Sequence, residues 1–190
     1  LFAGAGGLDL GFKSAGHTIV WANDFDADSC TTYRNNLGDH IHCGDIALFD
    51  SNDLPDFDIL IGGFPCQGFS RANVNKKADD DRNNLYLHVI RFLEVKKPKF
   101  FCLENVRGII TLNRGGDFEE IQTALIELGY TVQFKVLNAA DFGVPQSRVR
   151  VIIVGIRNDL ASEFSFDYPE PTHSRNGDGS KEKWVSISSV

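Results

Sequence analysis

Methionine is missing from all 190 residues. An open reading frame starts with one, so the chain is expected to be an excerpt of a longer protein. Long apolar runs are missing too. No stretch approaches the roughly 20 residues that span a bilayer. No basic run leads into an apolar one at Leu1-Phe2-Ala3-Gly4, so neither a membrane partner nor a secretory signal is expected. Cysteine is scarce: Cys30, Cys43, Cys66 and Cys102 form no CxxC pair, and no histidine stands at zinc-finger spacing. This excludes a disulfide miniprotein and predicts no metal site. Three of the four are expected to be small core residues with reduced thiols. Neither GxGxxG nor GKS/T occurs, so neither a dinucleotide fold nor a P-loop is indicated.

What remains is ordinary for a globular protein, with 42% apolar and 24% charged residues. Basic charge is scarce at first and then concentrated. Residues 1–60 hold 2 Lys and Arg against 10 Asp and Glu, whereas residues 61–115 hold 10 against 5. A net charge of −7 therefore hides a basic central segment. It is either a footprint for a polyanion or a solvated helix face.

Short apolar runs alternate with helical stretches. Strands are expected at His17–Ala22, Asp58–Gly62, Phe100–Glu104, Thr131–Leu137 and Val149–Ile156, and Leu1-Phe2-Ala3 reads as the end of another. Helices are expected at Leu8–Ala15, Asp26–Leu37, Asn84–Val95 and Asp117–Leu128, three of them stopped by a following glycine. The repeating βαβ order predicts an α/β fold, a doubly wound, mostly parallel sheet.

The chemistry gathers at the expected carboxyl edge of that sheet. Phe2-Ala3-Gly4-Ala5-Gly6-Gly7 follows a strand and opens a helix, where a nucleotide-like ligand lies in such sheets. A purely structural turn is an equal reading. Asp24 ends the next strand and can accept bonds from ribose hydroxyls, with Phe25 beside it to stack on adenine. Cys43-Gly44-Asp45-Ile46 supplies another acid. Both acids could instead cap the next turn. Together they point to an adenosine without phosphates, and S-adenosylmethionine, cationic at sulfur, suits the acidic first third.

In Gly62-Gly63-Phe64-Pro65-Cys66-Gln67-Gly68-Phe69-Ser70 an apolar strand runs into a cysteine held after a proline. A cysteine beyond a strand end is a nucleophile candidate. Arg71, Lys76, Lys77 and Arg82 follow in a long polar loop. Glu104 in Leu103-Glu104-Asn105-Val106 is a candidate acid, or a helix cap. Arg148 and Arg150 alternate onto one face and call for an anionic partner.

In this order FAGAGG, ND, GD, GGFPCQGFS, LENV and QSRVR resemble the DNA (cytosine-5) methyltransferase family across nearly the whole chain. The resemblance implies a Rossmann-like fold of the S-adenosylmethionine-dependent methyltransferase type. It implies that Phe2, Gly4, Gly6, Gly7 and Pro65 line the S-adenosylmethionine site, that Asp24 holds the ribose, that Phe25 packs on the adenine, and that Asp45 with Ile46 holds its edge. Cys66 matches the nucleophile that attacks carbon 6 of a flipped-out cytosine. Glu104 matches the residue that shares a proton with ring nitrogen 3, and Arg148 and Arg150 match the arginines beside the base. Gln67, Ser70, Arg71 and Arg82 fall in the loop that closes over duplex DNA.

Residues 1–166 would then be a catalytic domain, incomplete at its start and lacking C-terminal elements. Residues 167–190 would be a linker toward a target-recognition region not contained here. A transfer RNA substrate, or a silent DNA-binding relative, are the competing readings. A cognate restriction endonuclease is a possible partner, and the expected location is the bacterial cytoplasm, or the nucleus in a eukaryote.

Overall fold

The computed structural model describes residues 1–65, 85–177 and 179–189. Cys66, Gln67, Ser70, Arg71 and Arg82 lie outside the described residues. The strands are β1 (Ala22–Asp24), β2 (Ile41–Cys43), β3 (Ile59–Gly62), β4 (Phe100–Val106), β5 (Tyr130–Asn138) and β6 (Val149–Arg157), followed by the two-residue β7 (His173–Ser174) and β8 (Glu182–Lys183). The helices are α1 (Gly7–Ser14), α2 (Ala27–Leu37), α3 (Leu85–Lys96) and α4 (Gly116–Glu127).

β1 pairs with β2 in parallel, and β3 with β4 in parallel. The stub Leu1–Ala3 lies between these two pairs. The Leu1 amine donates to Ile61 O at 2.7 Å, and Ala3 N–H donates to Asn23 O at 2.9 Å. The stub therefore stands where a strand between β1 and β3 would. The sheet runs β2, β1, stub, β3, β4, β6, β5.

Three expectations change. The strand drawn over His17–Ala22 begins only at Ala22, and residues 17–21 make no ladder. The sheet is mostly parallel as expected, but one strand departs: β6 runs antiparallel to both β4 and β5. A parallel connection needs a crossover, usually a helix. Residues 139–148 hold only a 3₁₀ turn at Ala139–Phe142, so the chain doubles back. The third change is Cys43, which is exposed while Cys30 is buried and Cys102 half-buried. It ends β2, an edge strand that buries only its first residue.

Local chemistry explains the helix ends. The Asp26 carboxylate accepts from Ser29 N–H at 2.8 Å and caps α2. Asp117 and Glu119 place negative charge on the first turn of α4. The main core joins Phe92 and Leu93 of α3, Phe101 and Leu103 of β4, Ile121 and Leu125 of α4, and Val151 and Ile153 of β6. Each large side chain buried there contributes about 2–3 kcal/mol. A smaller cluster of Cys30, Tyr33, Leu37 and Ile41 seats α2 on β1 and β2. Beyond residue 167 the chain is anchored: Tyr168 Oη donates to Ile152 O at 2.9 Å, and Trp184 Nε1 donates to Asp141 at 2.9 Å.

Candidate active site

The glycine turn is built by the backbone. Phe2 and Gly4 both hold φ at +55°, in the left-handed region. A side chain on Gly4 would meet nothing within 4 Å, so its outer face is open. Gly6 is closed on its inner face. At φ +91° its Cβ would sit 2.2 Å from Leu37 Cδ1 and 2.8 Å from the Tyr33 ring. Gly6 thus brings α1 against α2, and Tyr33 Oη, in that contact, donates to the buried Asp9 carboxylate at 2.6 Å.

Asp24 spends both oxygens on the backbone. Gly4 N–H donates to Oδ2 at 2.7 Å and Asp26 N–H to Oδ1 at 3.0 Å. The turn-capping alternative is what the geometry shows, and it fixes the turn to β1. Phe25 beside it is 77% exposed, an unusual state for a phenylalanine, and no described aromatic ring packs against it. Asp45 also caps, accepting from Ala47 N–H through Oδ1 at 2.9 Å. Its other oxygen takes no part in that cap. The Ile46 side chain is in the main core, which leaves only its backbone for a ligand.

The second half of the site is made of side chains. Glu104 leaves β4 on the face opposite Phe101, Leu103 and Asn105. Its Oε1 accepts from Arg150 Nε at 2.7 Å and from Arg148 Nη2 at 3.1 Å. The expected alternation of the two arginines holds, and Glu104 is the anion they required. Glu104 stands opposite Ile152 in the β4–β6 register, so Arg150 is its diagonal neighbour. A Cβ on Gly63 would lie 3.3 Å from Glu104 Oε2, so the glycine beside Phe64-Pro65 makes room for this carboxylate.

One cavity of about 720 Å³ joins the halves. Phe2, Gly4 and Gly7 line it on one side, and Glu104, Arg148 and Arg150 on the other. Asp24, Phe25 and Asp45 are not among its lining residues; Asp24 adjoins it through Gly4 N–H. The open glycine turn, with an exposed aromatic ring and acids beside it, suits an uncharged adenosine carrying a cationic sulfur, so the residues fit S-adenosylmethionine. Pro65 is the last described residue before Cys66 and is half-exposed. Of the other cysteines, burial pushes the Cys102 thiol up to about 11, which disfavours its nucleophilic form.

The family model for C-5 cytosine-specific DNA methylases matches residues 1–188. The chain belongs to this family. The Type II methyltransferase M.NgoFVII of Neisseria gonorrhoeae is 47% identical to this chain over 188 residues, covering 98% of the chain and 50% of that relative. M.BspRI of Lysinibacillus sphaericus is 41% identical, covering 91% and 47%. The chain thus spans about half the length of these relatives. Its fold matches that of a candidate DNA modification methyltransferase from an E. coli prophage with a TM-score of 0.71 at 29% identity, covering 90% of this chain and 51% of that one. The Dnmt2 methyltransferase of S. pombe has the same fold, with a TM-score of 0.70 at 23% identity, 88% of this chain and 55% of that one being covered.

Two asparagines of the ND and LENV motifs carry structural work that the motifs alone do not assign. Asn105 is buried and donates to Phe64 O at 2.9 Å, fixing the residues that lead to Cys66. Asn23, also buried, donates to His42 O at 3.0 Å and Gly44 O at 2.9 Å and ties β1 to the Asp45 loop. The available signal was an asparagine inside an apolar strand, which requires a hydrogen-bond partner when buried.

Proposed function

We propose that the protein carrying this chain methylates carbon 5 of cytosine in duplex DNA. The carrying observation is the single cavity that unites the glycine turn with Glu104, Arg148 and Arg150. When bound, S-adenosylmethionine supplies an electrophilic methyl group. Phe2, Gly4, Gly7, Asp24, Phe25, Asp45 and the Ile46 backbone would hold it.

The base side follows from the same geometry. A flipped-out cytosine is neutral and gains electron density when the Cys66 thiolate attacks carbon 6. A proton shared between Glu104 and ring nitrogen 3 offsets that density. Arg150, 2.7 Å from Glu104 Oε1, fixes the carboxylate and leaves Oε2 free of the pair. Carbon 5 becomes nucleophilic and takes the methyl group; loss of its proton to solvent, with the carbon 6–sulfur bond breaking to release the Cys66 thiolate, restores the ring. Gln67, Ser70, Arg71 and Arg82 would contact the DNA backbone. The Type II names and bacterial sources of the relatives support a cytoplasmic enzyme paired with a restriction endonuclease.

The test uses the full-length protein, S-adenosylmethionine and a long duplex with 5-fluorocytosine in place of every cytosine. The expected result is a covalent protein–DNA adduct, because fluorine at carbon 5 cannot leave as a proton. The Cys66→Ser variant should form none and still bind cofactor. An adduct with transfer RNA alone would replace duplex DNA as substrate, and undiminished methylation by Cys66→Ser would remove Cys66 as nucleophile.

A further inference from the structure

Helix α3 reaches across the molecule to grip the loop that carries Asp45. Arg91 Nη2 donates to two backbone oxygens, Ile46 O at 3.0 Å and Phe49 O at 3.0 Å. These oxygens mark the start and the end of the 3₁₀ turn Ile46–Leu48. One guanidinium nitrogen therefore sets the width of that turn. Its first inner bond, Leu48 N–H to Asp45 O, is ordinary at 3.0 Å, whereas the last, Phe49 N–H to Ile46 O, is long at 3.4 Å, so the far end of the turn is where the external donor matters most.

Holding a guanidinium here is costly. Among the described residues Arg91 Nε is buried with no hydrogen-bond partner, and no carboxylate reaches ion-pair distance of it, its charge acting from further off on the capping carboxylate of Asp50. A buried unmet donor costs more than a good hydrogen bond returns. An apolar side chain of similar length over Phe92, whose ring lies 5.0 Å from Arg91 Cζ, would serve stability as well. What it could not supply is two N–H bonds to carbonyls 46 and 49. The same helix holds the far part of this connection by the same chemistry. Lys96 Nζ donates to Asn52 O at 3.3 Å and to Leu54 O, and pairs with Asp56 at 3.5 Å. The two clasps differ in what lies next to them: Asp45 is one residue from the Arg91 clasp and far along the chain from the Lys96 clasp.

We propose that Arg91 is a positioning residue for adenine recognition, holding the Ile46–Phe49 turn so that Asp45 and the Ile46 backbone meet the adenine edge. This rests on the cofactor reading above. Adenine presents a 6-amino donor to the Asp45 carboxylate, whereas hypoxanthine presents a 6-oxo acceptor that a carboxylate repels. Selectivity between the two then reports the turn's shape.

The experiment uses the full-length protein and calorimetric titration with S-adenosylhomocysteine and S-inosylhomocysteine. Wild type should prefer the adenine compound. Arg91→Leu should bind S-adenosylhomocysteine about tenfold more weakly and prefer it by less than about threefold, with KM for S-adenosylmethionine raised and kcat changed by less than about threefold. Arg91→Lys, a smaller change that keeps the charge, should fall between and provides the measurement if Arg91→Leu does not fold. Lys96→Met is the control: it should lower the unfolding midpoint and keep the adenine preference. Wild-type preference in Arg91→Leu or Arg91→Lys, or equal loss of preference in Lys96→Met, overturns the proposal alone. Failure of the wild type to bind S-adenosylhomocysteine overturns the cofactor reading along with it.

Discussion

The two sides of the cavity are held by opposite means. On the glycine-turn side, carboxylates serve backbone amides: Asp24 takes Gly4 and Asp26, and Asp45 takes Ala47. On the Glu104 side, a carboxylate serves two side chains, Arg148 and Arg150. Backbone-built shape has few alternatives, because its dihedral angles are confined. An ion-paired trio of long side chains can rearrange when a new anion or a base arrives. On the proposed function, the difference makes the first side a mould for a ligand and the second a set of groups that exchange partners during the reaction.

The largest effect should come from breaking the mould. Gly6→Ala puts a methyl group 2.2 Å from Leu37 Cδ1 at a φ of +91°. Overpacking plus left-handed strain should cost about 3 kcal/mol or more. Urea unfolding of the full-length variant should show that loss, and titration should show no S-adenosylhomocysteine binding. Near-normal binding would mean that α1 and α2 yield more easily than the geometry implies.

A smaller effect should come from the exchanging side, and it should be graded. Arg150 is the closer and more buried partner of Glu104, with 26% of its side chain exposed against 49% for Arg148. Arg150→Met should lower kcat by about 10²-fold, as loss of one oriented charged donor does. Arg148→Met should cost less than about tenfold, since solvent screens its pair. Both should keep cofactor affinity within about twofold, which kcat and KM measured together would reveal. Equal losses would erase the ranking.

The smallest effect should be one of pH, on the helix that braces the mould. His88 of α3 is held below its ordinary 6.5 by burial first and by Arg91 second, with Asp45 pulling the other way. The folded state thus takes up the proton less readily than the unfolded chain. The stabilisation is present above pH 6.5 and is lost as pH falls through the lower folded value. Urea midpoints at pH 7.5 and 5.5 should differ less for His88→Gln than for wild type. An unchanged slope would show that His88 is not the group responsible.

The same contrasts separate what is legible in the sequence from what is not. The helices were legible to within a residue or two because their ends carry local chemistry, such as the Asp26 cap and the glycine stops. The pairing of Glu104 with Arg148 and Arg150 was half legible: alternation along β6 put the arginines on one face, but their partner lies 46 residues away from Arg150. The direction of β6 was hidden, because an apolar run reads the same whichever way its neighbours point. The roles of Arg91, Asn23 and Asn105 were hidden as well. Each bonds to a carbonyl oxygen, and every residue carries one, so no residue type marks the partner.

The reversed direction of β6 has a geometric yield. A nine-residue strand is about 30 Å long at roughly 3.3 Å per residue. Had β6 run parallel to β4, its opening residues Arg148 and Arg150 would have begun at the opposite rim, a full sheet's height from Glu104. Because the chain turns back at residues 139–148, the first residues of the strand arrive at the rim where β4 ends. A hairpin thus delivers charge where a crossover would have delivered it only at the strand's far end, and it does so with one 3₁₀ turn of connecting chain.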